Sequence, residues 1–151
     1  MSKKPVEKNP PVSRVKIMVF GTFDGLHEGH LNFLKQAKKL DQASFLIVSI
    51  ARDKNVLKIK GKYPTLNEKK RMILLKKCPL VDKVILSGVK NHIPHILKEK
   101  PNIIALGYDQ RAYVQNLKKD LKNKGLIVKI IRLKPHKEKI YKSHLLKKYN
   151  F

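Results

Sequence analysis

Five apolar blocks divide the chain: Val15–Phe20, Phe45–Ile50, Val84–Leu86, Ile103–Leu106 and Leu126–Ile131. Most are continuous and rich in Val, Ile and Leu, as strands covered on both faces require. The segments between them have helical spacing. Leu31, Leu34, Ala37 and Leu40 recur on one face of a first helix. Thr65-Leu66-Asn67-Glu68 has a capping-box pattern ahead of Met72, Ile73 and Leu75. A short third helix is predicted near Asn91–Pro94, because proline is tolerated in a first turn. A fourth carries Val114, Leu117 and Leu121 and stops at Lys124-Gly125, and a last short one is read over Ser143–Tyr149. Strands that alternate with helices need right-handed crossovers, so the predicted fold is α/β, a five-stranded, mainly parallel sheet with helices on both faces.

In such a sheet ligands sit beyond the carboxyl ends of the strands. Three polar segments leave strands at that rim. One begins at Gly21, the second is Ala51-Arg52-Asp53, and the third is Gly107-Tyr108-Asp109-Gln110. Residues distant in sequence are thereby brought to one edge.

The first of these segments, "FGTFDGLHEGHLNFL" over residues 20–34, holds three glycines, two histidines and an aspartate where a strand should pass into a helix. Three readings compete. A zinc site of the H-E-x-x-H kind needs histidines four apart, one turn of helix. His27 and His30 are three apart with no evident third ligand, which argues against zinc. A second reading makes the histidines helix caps and the glycines turn formers. The third makes the segment a phosphate cradle and accounts for more of the residues. Gly21 would let a ligand approach the end of the strand, and Gly29 would do the same in the first helical turn. There, backbone N–H groups and the positive end of the helix dipole favour anions. Residues at i and i+3 share a helix face, so both imidazoles could address one phosphate. The glycines at 21, 25 and 29 match neither a P-loop nor G-x-G-x-x-G. An α-phosphorus held by the two histidines could be attacked in line by an acceptor phosphate, expelling pyrophosphate, with imidazole N–H groups and lysines stabilising the charge that builds. Mg²⁺ would be expected on the triphosphate.

Charge bears on the partner. The chain has 35 lysines and arginines against 11 acids, a net charge of +24, and only five of the 35 are arginine. A sequence-specific DNA reader uses arginine forks on guanine edges, and the lysines here are spread along the chain, so specific nucleic-acid recognition is disfavoured. A basic nucleic-acid-binding module without catalysis is the non-enzymatic alternative. A field so positive draws in anionic ligands such as nucleotides. No apolar run approaches the roughly 20 residues that span a bilayer. Residues 1–13, basic and with three prolines, read as a flexible tail without a secretory signal. A single cysteine, Cys78, excludes an intramolecular disulfide, and the expected location is cytoplasmic.

GTFDGLHEGH resembles the GTFD-x-x-H-x-G-H signature of the cytidylyltransferase-like nucleotidyltransferases, and the likeness runs from about Val15 to Leu146. The resemblance implies a single Rossmann-like domain over residues 14–151. His27 and His30 would contact the triphosphate and stabilise the transition state. Gly21, Thr22, Phe23, Asp24, Glu28 and Gly29 would form the nucleotide site around them. Lys58-Ile59-Lys60-Gly61-Lys62 resembles the family's lysine-bearing loop, with Lys60 favoured and Lys58 and Lys62 open. Arg71 resembles an arginine of the helix beneath that loop. Ser143 stands where the family has a Ser/Thr-rich segment touching the triphosphate. Gly107-Tyr108-Asp109-Gln110 looks more like the archaeal-type FAD synthases, which transfer AMP from ATP to FMN, than like the G-x-D-W of glycerol-phosphate cytidylyltransferases. Gly107, Asp109 and Gln110 would then contact nucleotide or acceptor, Asp109 also suiting a helix N-cap. The alternative activity is CTP-dependent, on glycerol 3-phosphate or a similar small phosphate ester. Relatives are often dimers, which makes a homodimer the expectation by resemblance.

Overall fold

The seven residues of strand β2, Ser44–Ile50, are all buried, and this interior strand sends side chains into the core on both faces of the sheet. The computed structural model describes residues 14–88, 91–108, 110 and 114–135, apart from the side chains of residues 114 and 115. Strand β1 (Val15–Gly21) lies beside β2, followed outward by β3 (Lys83–Leu86) on one side and by β4 (Ile103–Leu106) and β5 (Lys129–Arg132) on the other. The order is β3-β2-β1-β4-β5 and every pairing is parallel. Parallel neighbours need crossovers, which helices α1 (Glu28–Lys38), α2 (Asp53–Lys60), α3 (Glu68–Lys76), α4 (Ile93–Glu99) and α5 (Val114–Asn123) supply.

Alternation along β1 divides the core. Ile17 and Val19 face a cluster with Leu34 and Ala37 of α1 and Leu75 of α3. Met18 and Phe20 face the other, with Ile96 of α4 and Leu117 and Leu121 of α5. Helices therefore cover both faces, as expected for strands apolar throughout.

Four local expectations are corrected. Residues 53–60 form α2, which includes Lys58 and Lys60, so the lysine segment is helical as far as its αL C-cap at Gly61. Only Val56 of α2 is buried, and Ile59 is 80% exposed, so no apolar stripe announces this helix. Asn67, not Thr65, caps α3, accepting from Lys70 N, and Glu68 is used elsewhere. Leu31 is 40% exposed, so the buried stripe of α1 is Leu34 and Ala37. Strand β5 starts at Lys129, because Leu126 N is taken by Leu121 O as α5 ends. The tail over residues 1–13 and the helix read over Ser143–Tyr149 lie outside the described residues.

Candidate active site

The carboxyl end of β1 sets the site. His27 is the N-cap of α1, with extended backbone, and its Nδ1 accepts from Gly29 N at 3.0 Å and His30 N at 3.3 Å. His30 returns the contact: its Nδ1 accepts from His27 N at 3.3 Å. This is a capping box in which both side chains are imidazoles. The rings stack at 3.7 Å with 23° between their planes. A ring nitrogen that accepts a hydrogen bond carries no proton, so each imidazole is the neutral tautomer with its proton on Nε2. The helix cap thereby turns two histidines into paired Nε2–H donors.

The capping and phosphate readings are thus compatible, with one correction. The Gly29 and His30 amides are already committed to His27, so they are not the open N–H donors expected at this helix end. Glu28, exposed in the first turn, complements the helix dipole.

The loop before the cap is held tightly. Phe23 adopts φ 52°, a conformation uncommon outside glycine, and is buried. Its ring lies 5.3 Å from that of His30 and 6.3 Å from that of Phe33. A Cβ on Gly21 would come within 2.6 Å of the Phe23 ring, so the glycine makes room for a side chain of the loop and not, as expected, for a ligand. Gly25 follows at φ 100°. Asp24 accepts from Thr65 N and Leu66 N, each at 2.7 Å. Desolvation works against its charge, but those two amide bonds and the Arg71 charge prevail and hold its carboxyl below the usual value. Asp24 is therefore a tether between the signature loop and the entrance to α3.

Arg71 is fully buried. Its Nε donates to Leu66 O at 3.0 Å, Nη1 to Thr22 O at 2.8 Å and Nη2 to Asp53 Oδ1 at 2.6 Å. Every guanidinium nitrogen has a protein acceptor, so Arg71 fixes the loop at Thr22. Around it two helix starts cap each other. Glu68 Oε1 accepts from Asp53 N at 2.9 Å, and Asp53 Oδ2 accepts from Glu68 N at 3.1 Å. Glu68 Oε2 also accepts from Arg52 Nε at 3.2 Å.

Across the sheet, Gln110 Nε2 donates to Phe20 O at 2.8 Å while its Oε1 accepts from Gly107 N at 2.9 Å. This side chain ties the end of β4 to the end of β1. Arg132 Nη1 donates to Gly107 O at 2.9 Å and Gln110 O at 2.7 Å, which fixes the turn after β4. Asp109 and Ser143 lie outside the described residues. Lys60 is exposed in the last turn of α2.

Sequence reasoning missed Glu68 and Arg132 as parts of this assembly, and placed Arg52 at the rim without a role. Arg52 and Asp53 carried one signal, their place directly after a strand. Glu68 and Arg132 carried none, since their partners lie 15 to 25 residues away. A second polar cluster was also missed. His95 Nε2 meets Ser49 Oγ at 3.0 Å beneath Phe20, and burial first, then the neighbouring His92, pushes its pKa down to about 4.

Among the described residues no three His, Cys, Asp or Glu side chains come together as a metal site. Asp24 is engaged by two amides, and Asp53 by Arg71 and Glu68 N. No helix among the described residues is long and apolar enough to cross a membrane.

A parallel sheet with a polar rim and a helix that opens on H-x-G-H defines a nucleotidyltransferase. The sequence model of the Cytidylyltransferase-like family matches residues 18–148, and the chain belongs to that family. Curated relatives are more particular. The chain is 44% identical over 119 residues to the FAD synthase of Korarchaeum cryptofilum, spanning 78% of this chain and 80% of that protein. It is 41% identical over 123 residues to the FAD synthase of Methanosarcina barkeri, spanning 82% and 86% of the two chains. Among solved structures it resembles a lipopolysaccharide core biosynthesis protein of Thermoplasma volcanium, with TM-score 0.74 and 35% identity over 81% of this chain and 98% of that one.

Proposed function

We propose that the chain is an FMN adenylyltransferase, an FAD synthase that transfers AMP from ATP to FMN and releases pyrophosphate. The observation that carries the chemistry is the imidazole capping box, which presents two neutral Nε2–H donors at the carboxyl end of β1. The choice of substrates is supported by the FAD synthases, 34–44% identical, that the chain resembles over most of its length.

The reaction is a direct displacement. ATP enters as its Mg²⁺ complex, the cation carried by the triphosphate. An oxygen of the FMN phosphate supplies the electron pair that forms the new bond to the α-phosphorus. The bond from that phosphorus to the α–β bridging oxygen breaks, and its electron pair leaves with pyrophosphate. No protein nucleophile and no proton transfer to the attacking phosphate are required. Negative charge grows on the non-bridging α-oxygens and the leaving oxygen, where His27 and His30 Nε2–H groups donate. Donors fixed before the reaction need no reorganisation, and removal of one such donor typically costs about 10²- to 10³-fold in rate. Lys60, with Lys58 and Lys62 near it in sequence, adds positive charge for the leaving pyrophosphate. Asp109, toward nucleotide or acceptor, and Ser143, toward the triphosphate, keep the roles that the resemblance assigns them.

Pyrophosphate release, measured with each pairing of ATP or CTP with FMN or glycerol 3-phosphate, tests the assignment. ATP with FMN is the expected productive pair. Turnover of CTP with glycerol 3-phosphate instead would overturn the choice of substrates while leaving nucleotidyl transfer in place.

A further inference from the structure

Arg52 stands where β2 passes into α2, and no step above uses it. It occupies the N-cap position of α2, yet its side chain caps nothing. Its Nε is held by Glu68 Oε2 at 3.2 Å, and the side chain is 36% exposed. Among the described residues no protein group accepts from either of its Nη atoms, whereas Arg71 beside it has all three nitrogens engaged. Glu68 is itself fixed at both ends, by Asp53 N at its carboxylate and by Asp53 Oδ2 at its amide. A guanidinium anchored in this way through Nε directs two parallel Nη donors outward, the fork that matches phosphate oxygens.

Its place on the rim is equally fixed. Ala51 N donates to Gly21 O at 2.9 Å, which ties the residue before Arg52 to the end of β1, one strand from the loop that leads to His27. Arg71 joins Thr22 O to Asp53, so the backbone after Arg52 is tied to the same loop. Strand order then separates two sides of the reacting phosphorus. The order reverses between β1 and β4, and nucleotides take the crevice at such a reversal. Arg52 follows β2, the opposite neighbour of β1, at the start of α2. A group reaching the α-phosphorus from there comes with the acceptor.

We infer that Arg52 binds the phosphate of the acceptor and that Glu68 is the residue positioning it, an inference that rests on the reading of FMN as acceptor. The attacking group is a phosphate dianion that must approach a second polyanion. A bidentate cation on its non-attacking oxygens lowers that repulsion and aligns the attacking oxygen, while bond making and breaking proceed as above. Lysine cannot replace it, because one ammonium cannot meet Glu68 and two phosphate oxygens in the same geometry.

The test compares wild type with Arg52→Ala, Arg52→Lys and Glu68→Gln, by steady-state kinetics and by flavin-fluorescence titration with FMN and with riboflavin, which lacks the phosphate. Hydrogen bonds to charged groups lead to an expected rise of about 10- to 100-fold in KM for FMN in both Arg52 variants. KM for ATP should stay within about twofold, and riboflavin should bind wild type and variants alike. Glu68→Gln should raise the FMN KM, and should add little when combined with Arg52→Ala, since both act through one contact. Arg52→Ala leaves the Asp53–Glu68 pair in place, and Arg52→Lys retains the charge should the alanine variant fold poorly. A raised KM for ATP with an unchanged KM for FMN would overturn the inference, as would equal loss of riboflavin and FMN binding. Wild-type activity with CTP and glycerol 3-phosphate alone would overturn the FMN reading and not this one. The Arg52 comparison would then be read on the KM for glycerol 3-phosphate.

Discussion

Replacing His27 separates its two tasks, because each ring nitrogen has a different substitute. Asparagine places Oδ1 one bond from Cγ, where His27 has Nδ1, so His27→Asn retains an acceptor for Gly29 N and His30 N. Asparagine is also among the best N-cap residues. It has nothing at the position of Nε2. Loss of a capping side chain to alanine costs about 1 kcal/mol, whereas asparagine should keep stability within about 0.5 kcal/mol of wild type. In a domain of this size 1 kcal/mol corresponds to a fall of about 3 °C in Tm. The missing donor should lower kcat by about 10²- to 10³-fold in both variants. His27→Gln reverses the pattern, since its Nε2 can approach the histidine Nε2 position while the cap is lost. It should retain more activity than His27→Asn and be the less stable of the two. The measurements are urea melts and initial rates on the three purified variants. His27→Asn with wild-type kcat would refute the assignment of catalysis to Nε2–H, and His27→Asn as unstable as His27→Ala would refute the cap.

Arg71→Met should destabilise the fold by about 3–5 kcal/mol in urea melts, because it strips the partner from the Asp53 carboxylate and leaves Thr22 O and Leu66 O without their donor. Gln110→Leu leaves the Gly107 amide and Phe20 carbonyl unmet, with an expected loss of about 2 kcal/mol and a raised KM for ATP. His95, held neutral by burial, contributes a pH dependence of known sign. The unfolded chain takes up its proton near pH 6.5 and the folded chain only near 4, so stability falls as pH drops through that window, by at most about 3 kcal/mol. Urea unfolding between pH 7 and 5 should show this slope, and His95→Leu should flatten it.

The strands were legible because four of the five are apolar enough to need cover on both faces, and the helices with buried stripes were legible from their spacing. Helix α2 was not, since a single buried Val56 holds it to the core and Lys58, Ile59 and Lys60 face water. The histidines were legible as a pair at the start of the first helix from their spacing and place. Their mutual capping was not, because capping boxes are recognised from Ser or Thr with Glu or Gln, and here imidazole nitrogen does the accepting. Arg71 and Gln110 were named from the sequence as site residues, but the protein groups they hold were not legible. An arginine is almost never fully buried unless paired, and its partners, Thr22 and Asp53, lie 49 and 18 residues away. Gln110 reaches Phe20 across 90 residues of sequence. What sequence conveyed was which residues meet at the rim. Which of them face a ligand and which hold the others in place depends on hydrogen bonds that only the folded chain makes.

The central claim is that this chain moves AMP from ATP to FMN directly. Incubation with ATP radiolabelled at the α-phosphorus, FMN and Mg²⁺ tests it in one step, with products separated by chromatography. The account predicts that the label appears in FAD in equal measure to the pyrophosphate released, and that no label stays on the protein after denaturation. Label confined to free AMP, or transferred only when CTP and glycerol 3-phosphate replace ATP and FMN, would contradict it.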